Sequence, residues 1–173
     1  DWSKKCMDLF QVPASGLPLL RPVLYDHGSI CDTNLSLDCV IGDQQAALIG
    51  QEGLSRGSIA TNFGTSASVL YNAGGNPIVV NGLISSVLFS DGKQRKHVVE
   101  GTINACNSLF HHLETELNIS HDFMKWHELC SNQSTNGIYV PGFAGLAAPY
   151  WKSGFNDIYR NLDKYDKNKI IRA

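Results

Sequence analysis

The chain has 173 residues, with 14 Lys and Arg against 16 Asp and Glu, for a formal net charge of −2. A weakly acidic balance gives no electrostatic footprint for nucleic acid or an anionic membrane surface. No apolar run approaches the roughly 18–20 residues that a membrane-spanning helix needs, and the length suits one ordinary domain or the adjoining parts of two.

Five cysteines, Cys6, Cys31, Cys39, Cys106 and Cys130, are odd in number, widely spaced and form no CxxC pair. That favours reduced thiols in a cytoplasmic protein over a disulfide frame. Sequons begin at Asn34, Asn118 and Asn132, but "DWSKKCMDLF" has no uninterrupted apolar core of a secretory signal, so they read as coincidence. The chain starts without Met and ends in "KNKIIRA", which reads as a helix just begun. A piece of a longer polypeptide is expected.

In chain order, "WSKKCMDLFQVP" puts Trp2, Cys6, Leu9 and Phe10 on one helical face, closed by Pro13. A loop-like segment, "SGLPLLRPVLYDHGS", follows; its "YDHGS" faintly echoes an Asp-x-Gly-Ser phosphate loop and reads as a turn. Residues 37–41 are apolar and partly β-branched, a buried strand. From Asp43 the pattern is helical to about Gly53. Two β-prone runs, 58–62 and 66–72, flank a turn at Gly64–Thr65, a hairpin signal. Strands are expected in "PIVVNGLISSVLF" and "KHVVEGTIN", with a turn at Asp91–Gly92. A helix then runs from about Ala105 to Leu117, with Ala105, Leu109, Leu113 and Leu117 in a stripe. "GIYVPGFAGLAAPYW" is a strand entering a Gly/Pro loop. An αβα beginning followed by βββα suggests two α/β domains meeting near residues 55–58.

Three stretches could carry chemistry. Asp43 opens a helix directly after the expected strand, where open α/β sheets bind ligands. A carboxylate with no adjacent cation can take a proton from a hydroxyl, and Gln44 beside it has donor and acceptor atoms suited to a polyol. The same Asp is equally a common helix cap. In "TNFGTS", Gly64 lets backbone N–H groups approach an anion and Thr65 and Ser66 add hydroxyls, although an ordinary polar turn has the same composition. No GxxxxGK[ST] loop occurs. "EGTINACNS" places Asn104, Asn107 and Ser108 at a helix start, which attracts phosphate or is simply capped. The spacings among Cys106, His111, His112, His121, His127 and Cys130 do not follow a zinc order.

In this order, "GDQQAALIGQ", "GSIATNFGTSASVL", "VVEGTINA", "VPGFAGLAAPYW" and "IIRA" resemble the FGGY carbohydrate kinases, closest to their glycerol kinase branch. The resemblance covers almost the whole chain. It implies an α/β, actin-like ATPase fold of two ribonuclease-H-like domains. Residues 1–56 would end the first, substrate-binding domain and 57–173 would open the second, nucleotide-binding one. It implies ATP and Mg²⁺ as cofactors, a small polyol or sugar as substrate, no nucleic acid or membrane partner, and a possible homo-oligomer of the full-length protein. Asp43 would be the catalytic base and lie near the magnesium, Gln44 would bind substrate hydroxyls, and Gly64 and Thr65 would contact ATP phosphates. Asn107 and His111 occupy positions where glycerol kinases carry a glycine and a glutamine that contact nucleotide. Ser68 stands where they place a phenylalanine against glycerol, which implies a wider, more polar site for a larger polyol or ketose. Gln44 differs from the "GDNAA" of the xylulokinase branch. The implied activity is ATP-dependent phosphorylation of a polyol or sugar hydroxyl, with this chain alone inactive. Another FGGY sugar kinase, or a non-catalytic actin-like nucleotide binder, is the alternative.

Overall fold

A computed structural model describes residues 2–120 and 123–173. The described elements are α1 (Lys4–Phe10), α2 (Asp43–Gly50), β1 (Ile59–Phe63), β2 (Ala67–Gly74), β3 (Ile84–Ser90), β4 (Arg95–Ile103), α3 (Ser108–Leu117), α4 (Phe123–Ser131), β5 (Ile138–Val140), β6 (Ile158–Arg160) and α5 (Lys167–Arg172). Strands β1–β4 form one antiparallel sheet in the order β1-β2-β4-β3, and β5 pairs antiparallel with β6.

The expected hairpin forms, with Ile59 opposite Tyr71 and Phe63 opposite Ala67. Direct partners in an antiparallel pair project to the same face. One face of the sheet therefore carries Ala60, Leu70 and Val98, and α2 lies on it. Leu48 of α2 joins Ala60, Leu70, Leu88 and Val98 in one core, and both Leu48 and Leu70 are fully buried. Gly53 is a close-approach glycine: a Cβ there would stand 2.3 Å from Leu48 Cδ1. Asn72, buried in the sheet, is satisfied by donating its Nδ2 to Gly53 O at 2.7 Å. A second core gathers Leu113 and Leu117 of α3, Trp126 of α4 and Ile170 of α5, with Tyr139 and Tyr159 packed against it.

Several expectations are corrected. Residues 37–41 form no strand; they make an irregular ribbon with residues 23–28, through Val40 N–H to Val23 O and Leu37 N–H to Gly28 O. The run stays mostly exposed, with Val40 at 52 %, because no element covers either face among the described residues. An apolar β-branched run becomes a strand only where neighbours complete its ladder. The apolar residues of α1 are likewise not buried: Leu9 and Phe10 are about 70 % exposed. Helix α3 starts at Ser108, so Ala105 falls outside its stripe while Leu109, Leu113 and Leu117 keep it. Helix α2 ends at Gly50 and is followed by a turn. Helix α4 and strand β6 lie outside the sequence expectation.

Candidate active site

Asp43 is the first residue of α2, and Gly42 is the N-cap. The aspartate is exposed, and its Oδ1 accepts the next residue's N–H, that of Gln44, at 2.8 Å. It is therefore not an N-cap; one oxygen takes an orphan helix N–H and the other has no hydrogen bond among the described residues. Gln44 is anchored to the hairpin: Asn62 Nδ2 donates to Gln44 Oε1 at 2.7 Å, and Gln51 Nε2 donates to Asn62 Oδ1 at 3.1 Å. These contacts tie both ends of α2 to β1.

Asn62 opposes Ser68, and Ser68 opposes Thr102. The apolar face beneath α2 thus gives way to a polar row across three strands. Ser68 is buried, and its hydroxyl donates to Glu100 Oε1 at 2.9 Å.

The Gly64–Thr65 turn is bonded to the start of α3. Asn107 N–H donates to Gly64 O at 2.9 Å, and Cys106 N–H and Ser108 N–H both donate to Thr65 O. Ser108 Oγ adds a 2.9 Å bond to the same oxygen. The Gly64 N–H is engaged with Ser66 O at 2.8 Å, so that one amide is not free for an anion. The N–H groups of Thr65 and Ser66 have no acceptor among the described residues, and both residues are exposed. Nothing inside the fold demands glycine at 64: its φ is not positive, and a Cβ would meet only Ser66 O at 3.4 Å. A glycine unexplained by its own fold fits a position that a ligand approaches.

Asn107 is the N-cap of α3 and His111 stands one turn later on the same face, 63 % exposed, with Nδ1 3.4 Å from Glu114 Oε2. The structure thus brings Gly64, Thr65 and Asn107 together and links Gln44 to the same hairpin through Asn62. No hydrogen bond joins Asp43 to that hairpin among the described residues.

Asn62 and Gln51 carry no role in the sequence reading. An amide in a β-prone run, two residues from buried Ala60 and on the same face, is the signal that points to Asn62. Asp157 was also missed. Its Oδ1 accepts the Gly142 and Phe143 N–H groups, and its Oδ2 lies 2.8 Å from His112 Nε2 and accepts the Tyr139 hydroxyl. Burial alone would raise the Asp157 carboxyl; hydrogen bonds from Tyr139, Gly142 and His112 outweigh it and hold the group below the usual value. Burial, then the carboxylate it faces, pushes the Tyr139 phenol up. Both oxygens of Asp157 are engaged, so this cluster clamps α3 to the β5–β6 pair. An open cavity of about 540 Å³ beside it is lined by none of the candidate residues. His121 lies outside the described residues; among the others, no three His, Cys, Asp or Glu side chains gather as a metal site would require.

No family model matches the chain. Among curated proteins it is 31% identical over 182 residues to the glycerol kinase of Limosilactobacillus reuteri, which covers 100% of this chain and 36% of that protein. It is 35% identical over 181 residues to the glycerol kinase of Roseiflexus sp., again with 100% and 36% covered. The crystal structure of Plasmodium falciparum glycerol kinase with ADP superposes with a TM-score of 0.81 at 26% identity, over 100% of this chain and 37% of that one. The chain is homologous over its whole length to glycerol kinases, which are FGGY carbohydrate kinases. A ligand-bound xylulose kinase from Lactobacillus acidophilus, 16% identical with a TM-score of 0.79, shares the fold. The α/β architecture is that of the actin-like ATPase fold of these sugar kinases. The chain spans about 36% of the length of the FGGY relatives it matches. No helix among the described residues is long and apolar enough to cross a membrane.

Proposed function

We propose that the full-length protein carrying this segment transfers a phosphoryl group from ATP to a hydroxyl of a polyol or sugar. The observation that carries the reading is the joining of three sequence motifs by hydrogen bonds: the Gly64–Thr65 turn to Asn107 at the start of α3, and Gln44 beside Asp43 to the same hairpin.

Asp43 is the base in this reading. It is exposed, has one oxygen without a hydrogen-bond partner among the described residues, and can accept the proton of an attacking hydroxyl. Gln44 orients the substrate. The exposed Thr65 hydroxyl and the Thr65 and Ser66 N–H groups suit phosphate oxygens, and Asn107 and His111 line the nucleotide side. The donor set fits Mg²⁺: a hard oxygen on an exposed carboxylate, Asp43, suits a cation that keeps most of its waters. When bound, that cation neutralises charge on the transferring phosphoryl group. Placement and charge stabilisation are what phosphoryl transfer asks of this chain's residues.

The division at 56/57 into substrate-side and nucleotide-side domains belongs to this proposal, as do a reducing, cytoplasmic location and a possible homo-oligomer. The five cysteines are all free, which suits such a compartment. The substrate is proposed to be larger or more polar than glycerol, because the row of Asn62, Ser68 and Thr102 and the Ser68–Glu100 bond place polar groups at the position where the resemblance gives glycerol kinases a phenylalanine.

The test is a coupled ADP assay on the full-length protein with glycerol, erythritol, ribulose, xylulose and sedoheptulose. Turnover of at least one is expected. ATP binding with no turnover of any would replace the kinase reading by the non-catalytic nucleotide binder. The 173-residue chain alone is expected to show no turnover.

A further inference from the structure

We propose that Asn62 is a positioning residue that sets which end of the Gln44 amide faces the substrate; this rests on reading Gln44 as a substrate ligand. The geometry is a relay of three amides. Gln51 Nε2 donates to Asn62 Oδ1 at 3.1 Å, and Asn62 Nδ2 donates to Gln44 Oε1 at 2.7 Å. An amide has one acceptor end and one donor end. With its oxygen taken by Asn62, Gln44 is left with its NH₂, which has no acceptor among the described residues.

Two consequences follow for binding. Gln44 meets the substrate as a donor, so it selects an oxygen that accepts, either a hydroxyl or a ketose carbonyl. A glutamine held in one rotamer also loses less conformational entropy when the substrate arrives. The anchor stands on a rigid element: Asn62 is in β1, paired directly with buried Ser68, two residues from the Gly64 turn. The same strand therefore positions the substrate-side amide and leads into the nucleotide-side turn.

The test is a double-mutant cycle on the full-length protein, using whichever of glycerol, erythritol, ribulose, xylulose or sedoheptulose the wild type phosphorylates. Gln44→Ala is expected to raise KM for that substrate about tenfold. Asn62→Ala is expected to raise it about three- to tenfold, with kcat within about twofold. The double variant is expected to show a KM no higher than Gln44→Ala alone, because Asn62 acts only through Gln44. Asn62→Asp keeps the side-chain shape but replaces the donor by an acceptor. Gln44 must then turn its NH₂ to that carboxylate, and KM should rise as it does in Asn62→Ala. Circular-dichroism melting of each variant separates this from unfolding, and the isosteric Asp variant keeps the test open if the Ala variant melts early. An Asn62→Ala effect of the same size in the Gln44→Ala background would overturn the proposal and leave the kinase reading standing. So would an unchanged KM in both Asn62 variants alongside a raised one in Gln44→Ala. An unchanged KM in Gln44→Ala would remove Gln44 from the substrate site and the proposal with it. Absence of wild-type turnover on all five would overturn the kinase reading itself.

Discussion

Ser108 donates both its backbone N–H and its hydroxyl to one acceptor, the carbonyl oxygen of Thr65, at 3.2 and 2.9 Å. That pair of hydrogen bonds to a turn 43 residues away holds the β1–β2 hairpin against the start of α3, where the two motifs proposed to face the nucleotide meet. Ser108→Ala removes the hydroxyl bond and keeps the backbone one. A stability loss of about 0.5–1.5 kcal/mol in urea unfolding is expected. In the full-length protein KM for ATP should rise about threefold while KM for the polyol stays within about twofold. A change confined to the polyol would place the turn elsewhere.

Asp43 contributes little to the fold and, in the proposed reaction, much to the rate. It is exposed, and among the described residues its one hydrogen bond is to the adjacent N–H. Asp43→Ala should lower kcat about 10²- to 10⁴-fold, while stability changes by no more than about 1 kcal/mol. Thermal melting beside the ADP assay checks both halves. Retained turnover would remove the aspartate from the role of base.

Asp157 makes the fold sensitive to acid. Its folded-state carboxyl is held below the usual value, so the unfolded chain binds the proton more readily at acid pH. Its contribution is therefore full above the ordinary carboxylate range and is lost as pH falls through the lowered folded value. Asp157→Asn should cost about 1.5–3 kcal/mol at neutral pH. Urea midpoints measured from pH 7 down to pH 3 should fall less steeply in the variant than in the wild type.

Leu48 and Leu9 form a contrasting pair. Leu48 is fully buried between α2 and the sheet, whereas Leu9 on α1 is 70 % exposed. Leu48→Ala should cost about 2–5 kcal/mol, and Leu9→Ala should stay within about 0.5 kcal/mol. Chemical denaturation of the two variants distinguishes them, and equal effects would contradict the packing of α2.

Much of the local architecture was legible because its signals are local. The hairpin at Gly64–Thr65 rests on alternation around a turn, and the strands around Asp91–Gly92 on the same pattern. The buried part of the α3 stripe, Leu113 and Leu117, follows from four-residue spacing. Residues 37–41 failed for the complementary reason: an apolar β-branched run specifies a preference for burial, not the partner that provides it. Asp43 and Gln44 stood out beside the start of a helix, and the resemblance set a catalytic role ahead of the capping one; the structure adds that the cap is Gly42.

The sequence by itself determined the resemblance to the FGGY carbohydrate kinases, through five motifs in order, and the residue types that the proposed phosphoryl transfer would use. Only the tertiary structure decided that Thr65 meets Ser108, that Gln44 is held by Asn62, and that Ser68 is bonded to Glu100. These partners lie 18 to 43 positions apart in the chain. Hydrogen bonds over such separations depend on strand register and helix placement, which burial of Leu48, Leu70 and Val98 in one core sets collectively.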